Sequence, residues 1–137
     1  MAVVAFNKDR IEELAKAKGL RLVLLYGSHA AGNARADSDI DVAVLGHEKI
    51  RPELLVDLNN DFARIMDAPE IDLKSLHDVD PLFRFQVMWK GIPLYGSRGD
   101  YLSFKAYAYR DYHDSRDLFR LKKALINKRL GRKGASA

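Results

Sequence analysis

The sequence predicts a small mixed α/β sheet of about four strands with helices on one side. Three observations support this. Four short apolar runs, residues 20–26, 38–45, 70–73 and 92–95, alternate with stretches of helical period at 8–18, 52–66, 81–90 and from 100 onward. Glycine, proline or an N-capping residue stands at most of the junctions between them. At 137 residues with 47% hydrophobic content, the chain has the size of one ordinary globular domain. The expected layout is a single domain over 1–137, with a core over about 1–96 and a helical extension over about 100–130.

Each element has a local cause. Asn7 is a good N-cap for a first helix that carries Ile11, Leu14 and Ala15 on one face and stops at Gly19. Leu20 to Tyr26 holds one charge, Arg21, and reads as a buried strand ended by Gly27. Ser28 to Ala31 can form one short helix, and Gly32-Asn33 can reverse the chain. Along Ser38 to Leu45, strand alternation sends Asp39, Asp41 and Ala43 to one face and Ile40, Val42 and Val44 to the other.

Pro52 suits a first helical position, and Leu54, Leu55, Leu58, Phe62, Ile65 and Met66 follow at helical spacing until Ala68-Pro69. Glu70 to Leu73 is extended again, with Glu70 and Asp72 sharing a face. Asp80-Pro81 caps and opens a helix that ends at Gly91, and Ile92 to Tyr95 forms the last strand. Gly96-Ser97-Arg98-Gly99 is the best hinge candidate. From Asp100 the chain is helical, as one helix or two, with Tyr101, Phe104, Ala108, Tyr112, Phe119 and Ile126 near one stripe beside Leu118, Leu121 and Leu125; Gly131 to Ala137 is expected to fray.

Composition narrows the function. Without cysteine there are no disulfides, thiolate metal sites or cysteine nucleophiles. No apolar run approaches the roughly 20 residues of a membrane span, and the start has no secretory pattern, so a cytoplasmic protein without a membrane partner is expected. The net charge of +4 divides unevenly: from Arg116 onward eight basic residues face one acidic residue, which leaves +7 on the tail and −3 on the rest. Such a tail can meet nucleic acid or an acidic protein, or form a solvated helix face; nucleic acid is the weaker expectation.

The chemistry concentrates in one loop, Tyr26 to Leu45. Aspartate is depleted in strands, so Asp39 and Asp41 at alternate positions need a reason. A solvated edge strand is the structural explanation. Held rigidly, though, paired carboxylates repel unless a cation lies between them or one takes a proton. Magnesium suits a few carboxylates plus water and substrate phosphates. Gly27 lets the chain approach a ligand, Ser28 adds a hydroxyl, and the amides of a short helix favour an anion. A third carboxylate, Asp72 or else Glu70, would share a second metal and prepare in-line displacement at phosphorus.

The run Gly-Ser, ten residues, Asp-x-Asp, set between apolar strands and followed by a strand with Asp72, resembles the nucleotidyltransferase superfamily that includes DNA polymerase beta. The compact form over roughly Leu20 to Tyr95 is similar to the minimal nucleotidyltransferases paired with HEPN-domain proteins in prokaryotic toxin–antitoxin systems, and the later aromatic helix resembles their tails. The resemblance implies that Gly27 and Ser28 bind nucleotide phosphates, that Asp39, Asp41 and Asp72 ligate magnesium in a two-metal site, and that AMP passes from ATP to a hydroxyl. In the paired systems the acceptor is a tyrosine of the HEPN toxin, which implies an oligomer with that partner. Relatives often carry arginine in the turn where this chain has His29 and Ala31; Arg35 is the cation further along the loop.

Alternatives from the same residues are transfer to a small molecule such as an aminoglycoside, and a non-catalytic module that neutralises a toxin by docking the Tyr101 to Leu130 helix. His29 beside Ser28 lacks the glycine spacing of a hydrolase nucleophile turn. His77, Asp78 and Asp80 are better explained by a loop leading into an N-cap than by a metal site. Tyr107, Tyr109 and Tyr112 with Arg110 and Arg116 suggest a helical interface rather than base stacking. Arg84 and Lys90 are read as solvated side chains that could reach phosphate.

Overall fold

The computed structural model describes residues 7–32 and 39–135, with side chains as far as Leu130. Asn7 caps α1 (Lys8–Ala17), its Oδ1 accepting from the amides of Asp9 and Arg10 at 3.0 and 3.3 Å. Then follow β1 (Leu20–Tyr26), α2 (Gly27–Ala31), β2 (Ile40–Gly46), α3 (Pro52–Ile65), β3 (Ile71–Ser75), α4 (Pro81–Lys90), β4 (Ile92–Tyr95) and α5 (Arg98–Ala135). The predicted junctions recur: Pro52 and Pro81 open their helices, and Asp80 Oδ1 accepts from the Phe83 amide at 2.9 Å.

The sheet runs β3-β2-β1-β4, with β1 antiparallel to both β2 and β4 and β2 parallel to β3. A parallel pair needs a crossover, and α3 supplies it. Helices cover both faces, not one as expected. On the first face Ile11 and Ala15 of α1 and Leu58 and Phe62 of α3 pack with Val23, Leu25, Val42 and Val44. On the second, Val87 and Met88 of α4 and Ala108 of α5 pack with Leu22, Leu24, Ala43 and Leu45. This is why β1 is apolar at nearly every position: side chains on both faces are buried. The register shifts between Leu20 and Leu22, which puts Leu20 in the first cluster beside the odd-numbered Val23 and Leu25.

Other expectations need correction. Gly99 lies inside α5, whose first turn is supported by Ser97 Oγ accepting from the Asp100 amide at 3.0 Å, while Gly96 is closed against the Arg21 carbonyl and Leu22. The proposed hinge is thus a packed helix start. α5 runs through Ala135, so Gly131 to Ala135 of the expected frayed end belong to the helix, and Ser136 and Ala137 lie outside the described residues. No described helix is long and apolar enough to cross a membrane.

Arg84 is buried, not solvated. Its guanidinium donates to the carbonyls of Leu76, His77 and Val79 at 2.8, 3.3 and 3.1 Å and to Asp111 Oδ2 of α5 at 2.9 Å. One side chain therefore ties the end of β3 and the start of α4 to α5. A buried charge with these partners cannot be removed without leaving carbonyls and a carboxylate unsatisfied. Arg84→Met is expected to lower stability by about 2–4 kcal/mol in urea unfolding, with Arg84→Lys recovering only part of it.

Candidate active site

Register builds the site. Tyr26 of β1 pairs with Asp41 of β2, and Asp41 pairs with Asp72 of β3. Directly opposed residues share a face, so Tyr26, Asp41 and Asp72 form one row across three strands. The row lies on the face covered by α4 and α5, where the Tyr26 ring meets Phe83 edge-on at 5.4 Å. Asp39 is exposed one residue before β2 begins, and Glu70 is exposed one residue before β3. Of the two candidates for a third carboxylate, Asp72 is the one directly opposite Asp41 in the β2–β3 register.

Burial raises the Asp41 pKa, and the nearby carboxylates of Asp72 and Asp39 raise it further; His29 acts in the opposite sense. Carboxylates opposed in this way across two strands repel unless one takes a proton or a divalent cation lies between them. Burial, then Asp72 and Asp41, also push the Tyr26 phenol upward and keep it protonated. Lys74 Nζ lies 3.6 Å from Asp72 Oδ1, but both side chains are about half exposed and the pair is a weak counter-charge. Among the described residues no three His, Cys, Asp or Glu side chains converge as a ready metal cage. The Asp41–Asp72 pair fits magnesium's preference for one or two protein carboxylates completed by substrate and water.

The loop side of the site is set by Gly27. Its φ is +74°, and a Cβ there would run into Asp41 Oδ2, so conformation and space both demand glycine. Gly27 and Ser28 form the first turn of α2, and Tyr26 provides no side-chain cap, which leaves amides available to an anion. Gly32 ends α2 in the left-handed conformation, as the predicted reversal required. Asn33, Arg35 and Ser38 lie outside the described residues.

A cavity of about 200 Å³ adjoins this turn, lined by Tyr26, Gly27, Phe83, Gln86, Val87 and Lys90. Lys90 thus faces the loop while Arg84 is turned into the fold. Sequence reasoning missed Tyr26 and Gln86 as lining groups. Position at the end of β1, one residue before Gly27, was the available signal for Tyr26; Gln86 had none. The other tempting polar groups are structural: His77 Nε2 lies 3.2 Å from the Gly46 carbonyl oxygen, and Asp78 pairs with Lys49 at 3.1 Å.

Asp41 allows a test of these electrostatics. A carboxylate whose pKa is raised on folding adds most to stability in acid, and that contribution is lost as pH rises through the folded value. At neutral pH the metal-free fold therefore carries repulsion that Asp41→Asn removes. With chelator present, Asp41→Asn is expected to raise Tm by about 2–5 °C at pH 7, a gain that shrinks toward pH 3 in calorimetry.

Comparison with known proteins agrees with this geometry. Residues 8–100 match the polymerase beta, nucleotidyltransferase family. Protein adenylyltransferase MntA of Shewanella oneidensis is 31% identical over 96 residues, 69% of this chain and 68% of that protein. A crystal structure of a toxin–antitoxin with AMP-PNP superposes with a TM-score of 0.72 at 26% identity, over 90% of this chain and 98% of that one. The fold recurs in a complex of tri-AMPylated Shewanella oneidensis HEPN toxin with MNT antitoxin, with a TM-score of 0.65 at 24% identity over 90% of this chain and 95% of that one. With its Gly27-Ser28 turn and its aspartates at one end of a mixed sheet, the chain belongs to the polymerase beta nucleotidyltransferase family.

Proposed function

We propose that this chain is a magnesium-dependent protein adenylyltransferase that moves AMP from ATP to a tyrosine hydroxyl of a cognate HEPN-domain toxin and thereby acts as its antitoxin. The observation that carries the reading is the Asp41–Asp72 pair beside the uncapped first turn of α2, a carboxylate pair next to an anion-binding turn. The MntA relative, named a protein adenylyltransferase, and the toxin–antitoxin structure with AMP-PNP support it.

In this reading the α2 amides and the Ser28 hydroxyl grip the β and γ phosphates of ATP, and Gly27 lets them approach the carboxylates. Asp39, Asp41 and Asp72 would hold magnesium. When bound, the metal neutralises phosphate charge and makes the acceptor hydroxyl more acidic. The hydroxyl oxygen bonds to the α-phosphorus as the bond to pyrophosphate breaks; Asp72 takes the hydroxyl proton and pyrophosphate leaves. Lys90 supplies a cation to the polyphosphate from the cavity wall, beside a turn that carries His29 and Ala31 where relatives often have arginine.

The test is intact mass measurement of the toxin after incubation with this chain, ATP and magnesium. One or more added AMP units are expected, with the rate falling at least about 100-fold in the Asp39→Asn, Asp41→Asn protein. Undiminished transfer by that variant would refute the assignment. Lys90→Ala is expected to raise KM for ATP about tenfold, the loss of one charge-assisted contact, with helix content unchanged by circular dichroism.

A further inference from the structure

The longest element is used over only half its length. Tyr101, Phe104 and Ala108 pack on the second cluster, Asp111 holds Arg84, and Tyr112 stacks on Phe85 at 4.8 Å. From Arg116 to Leu130 every residue is exposed. This overhang carries Leu118, Phe119, Leu121, Leu125, Ile126 and Leu130, each 54–67% exposed. Single exposed apolar residues need no explanation, but six within thirteen residues do.

Their arrangement is specific. At about 100° per residue, Leu118, Leu121 and Leu125 form one ridge and Phe119, Ile126 and Leu130 a second, with Lys122 and Arg129 on the line between them. Further cations, Arg116, Arg120, Lys123 and Lys128, surround the ridges, and Asp117 is the lone acid from 116 to 130. Two copies of this helix would bring like charges together, which argues against self-pairing. A helix lying on a membrane keeps its cations on the polar face, whereas Lys122 and Arg129 sit mid-stripe. The surface calls for a protein that offers two apolar grooves and carboxylates between them.

We propose that the overhang of α5, residues 116–130, is the docking surface for the acceptor toxin, through an acidic, two-grooved face of that protein; the identity of the occupant rests on the function proposed above. The grip is remote from the chemistry. α5 leaves the body beyond the Arg84–Asp111 pair, which sits where the chain exits β3, whereas Asp72 lies near the start of that strand. Docking therefore governs acceptor affinity rather than the transfer step.

The test uses the full chain with the cognate HEPN-domain toxin. Leu121→Lys, Leu125→Lys and, separately, Lys122→Glu, Arg129→Glu are each expected to weaken the complex at least about tenfold by calorimetry and to raise KM for the toxin similarly. Transfer at saturating toxin and ATP binding should remain near wild type, and circular dichroism should show the helix intact. Unchanged toxin affinity in both variants overturns the inference, as does a loss of kcat with affinity unchanged. It is equally overturned if the wild-type chain forms a dimer, or binds anionic phosphatidylserine vesicles or RNA, through these leucines in place of the toxin. Transfer that persists with unweakened binding in both variants defeats the docking surface alone. Binding that needs these leucines but yields no AMP transfer defeats the catalytic reading alone.

Discussion

The register between β2 and β3 is the constraint on which the site depends. It places Asp41 opposite Asp72, and through the β1–β2 pairing it adds Tyr26 to the same row. A slip of one residue would turn Asp41 toward the face of Val42 and Val44, among the core side chains of α1 and α3. The apolar residues on both faces therefore hold the carboxylates in register. Burial of Val42 on one side and Ala43 on the other makes any other pairing costly. The carboxylate row sits at one end of strands whose other apolar residues are buried in the two cores.

Such a site works against its own fold. Burial, then the neighbouring Asp72 and Asp39 carboxylates, raise the proton affinity of Asp41 at the sheet end, and Gly27 gives up conformational restriction to let the loop close on Asp41. Strain and repulsion of this kind persist only where the surroundings over-determine the geometry. Here the surroundings are a sheet sandwiched between two helical layers, with Phe62 and Leu58 on one side and Met88 and Val87 on the other fully or almost fully buried. A divalent cation and a polyphosphate would turn the same repulsion into binding energy.

Local signals were legible from the sequence because their causes are local. Asn7, Pro52 and Asp80-Pro81 set helix starts within a residue, and Gly27, Gly32 and Gly91 set ends and turns. The aspartate spacing was legible too, since alternation along β2 needs no tertiary information. What was not legible depends on partners distant in the chain. The one-sided arrangement failed although β1, apolar at almost every position, carries the pattern of a strand buried on both faces. Arg84 resembled any helical surface arginine; the carbonyls that bury it belong to the loop just before α4, and its carboxylate lies 27 residues on. The local pattern puts Tyr26 at the end of β1, but it joins the carboxylates only once β1 and β2 pair.

The buried Arg84 also bears on the far end of α5. An isolated helix of fifteen residues is marginal in water because nucleation is costly, and the overhang has no packing of its own to offset that. Its helicity propagates from the anchored turn, where Asp111 is held by Arg84 and the adjacent Tyr112 stacks on Phe85. Loosening the anchor should fray the overhang from a distance, and a frayed helix must be ordered again at the moment it binds. The same contact that joins β3 to α4 thus presents a pre-formed helical ridge beyond the domain. Fold stability and the order of the overhang are thereby linked through one guanidinium at the end of β3 farthest from Asp72.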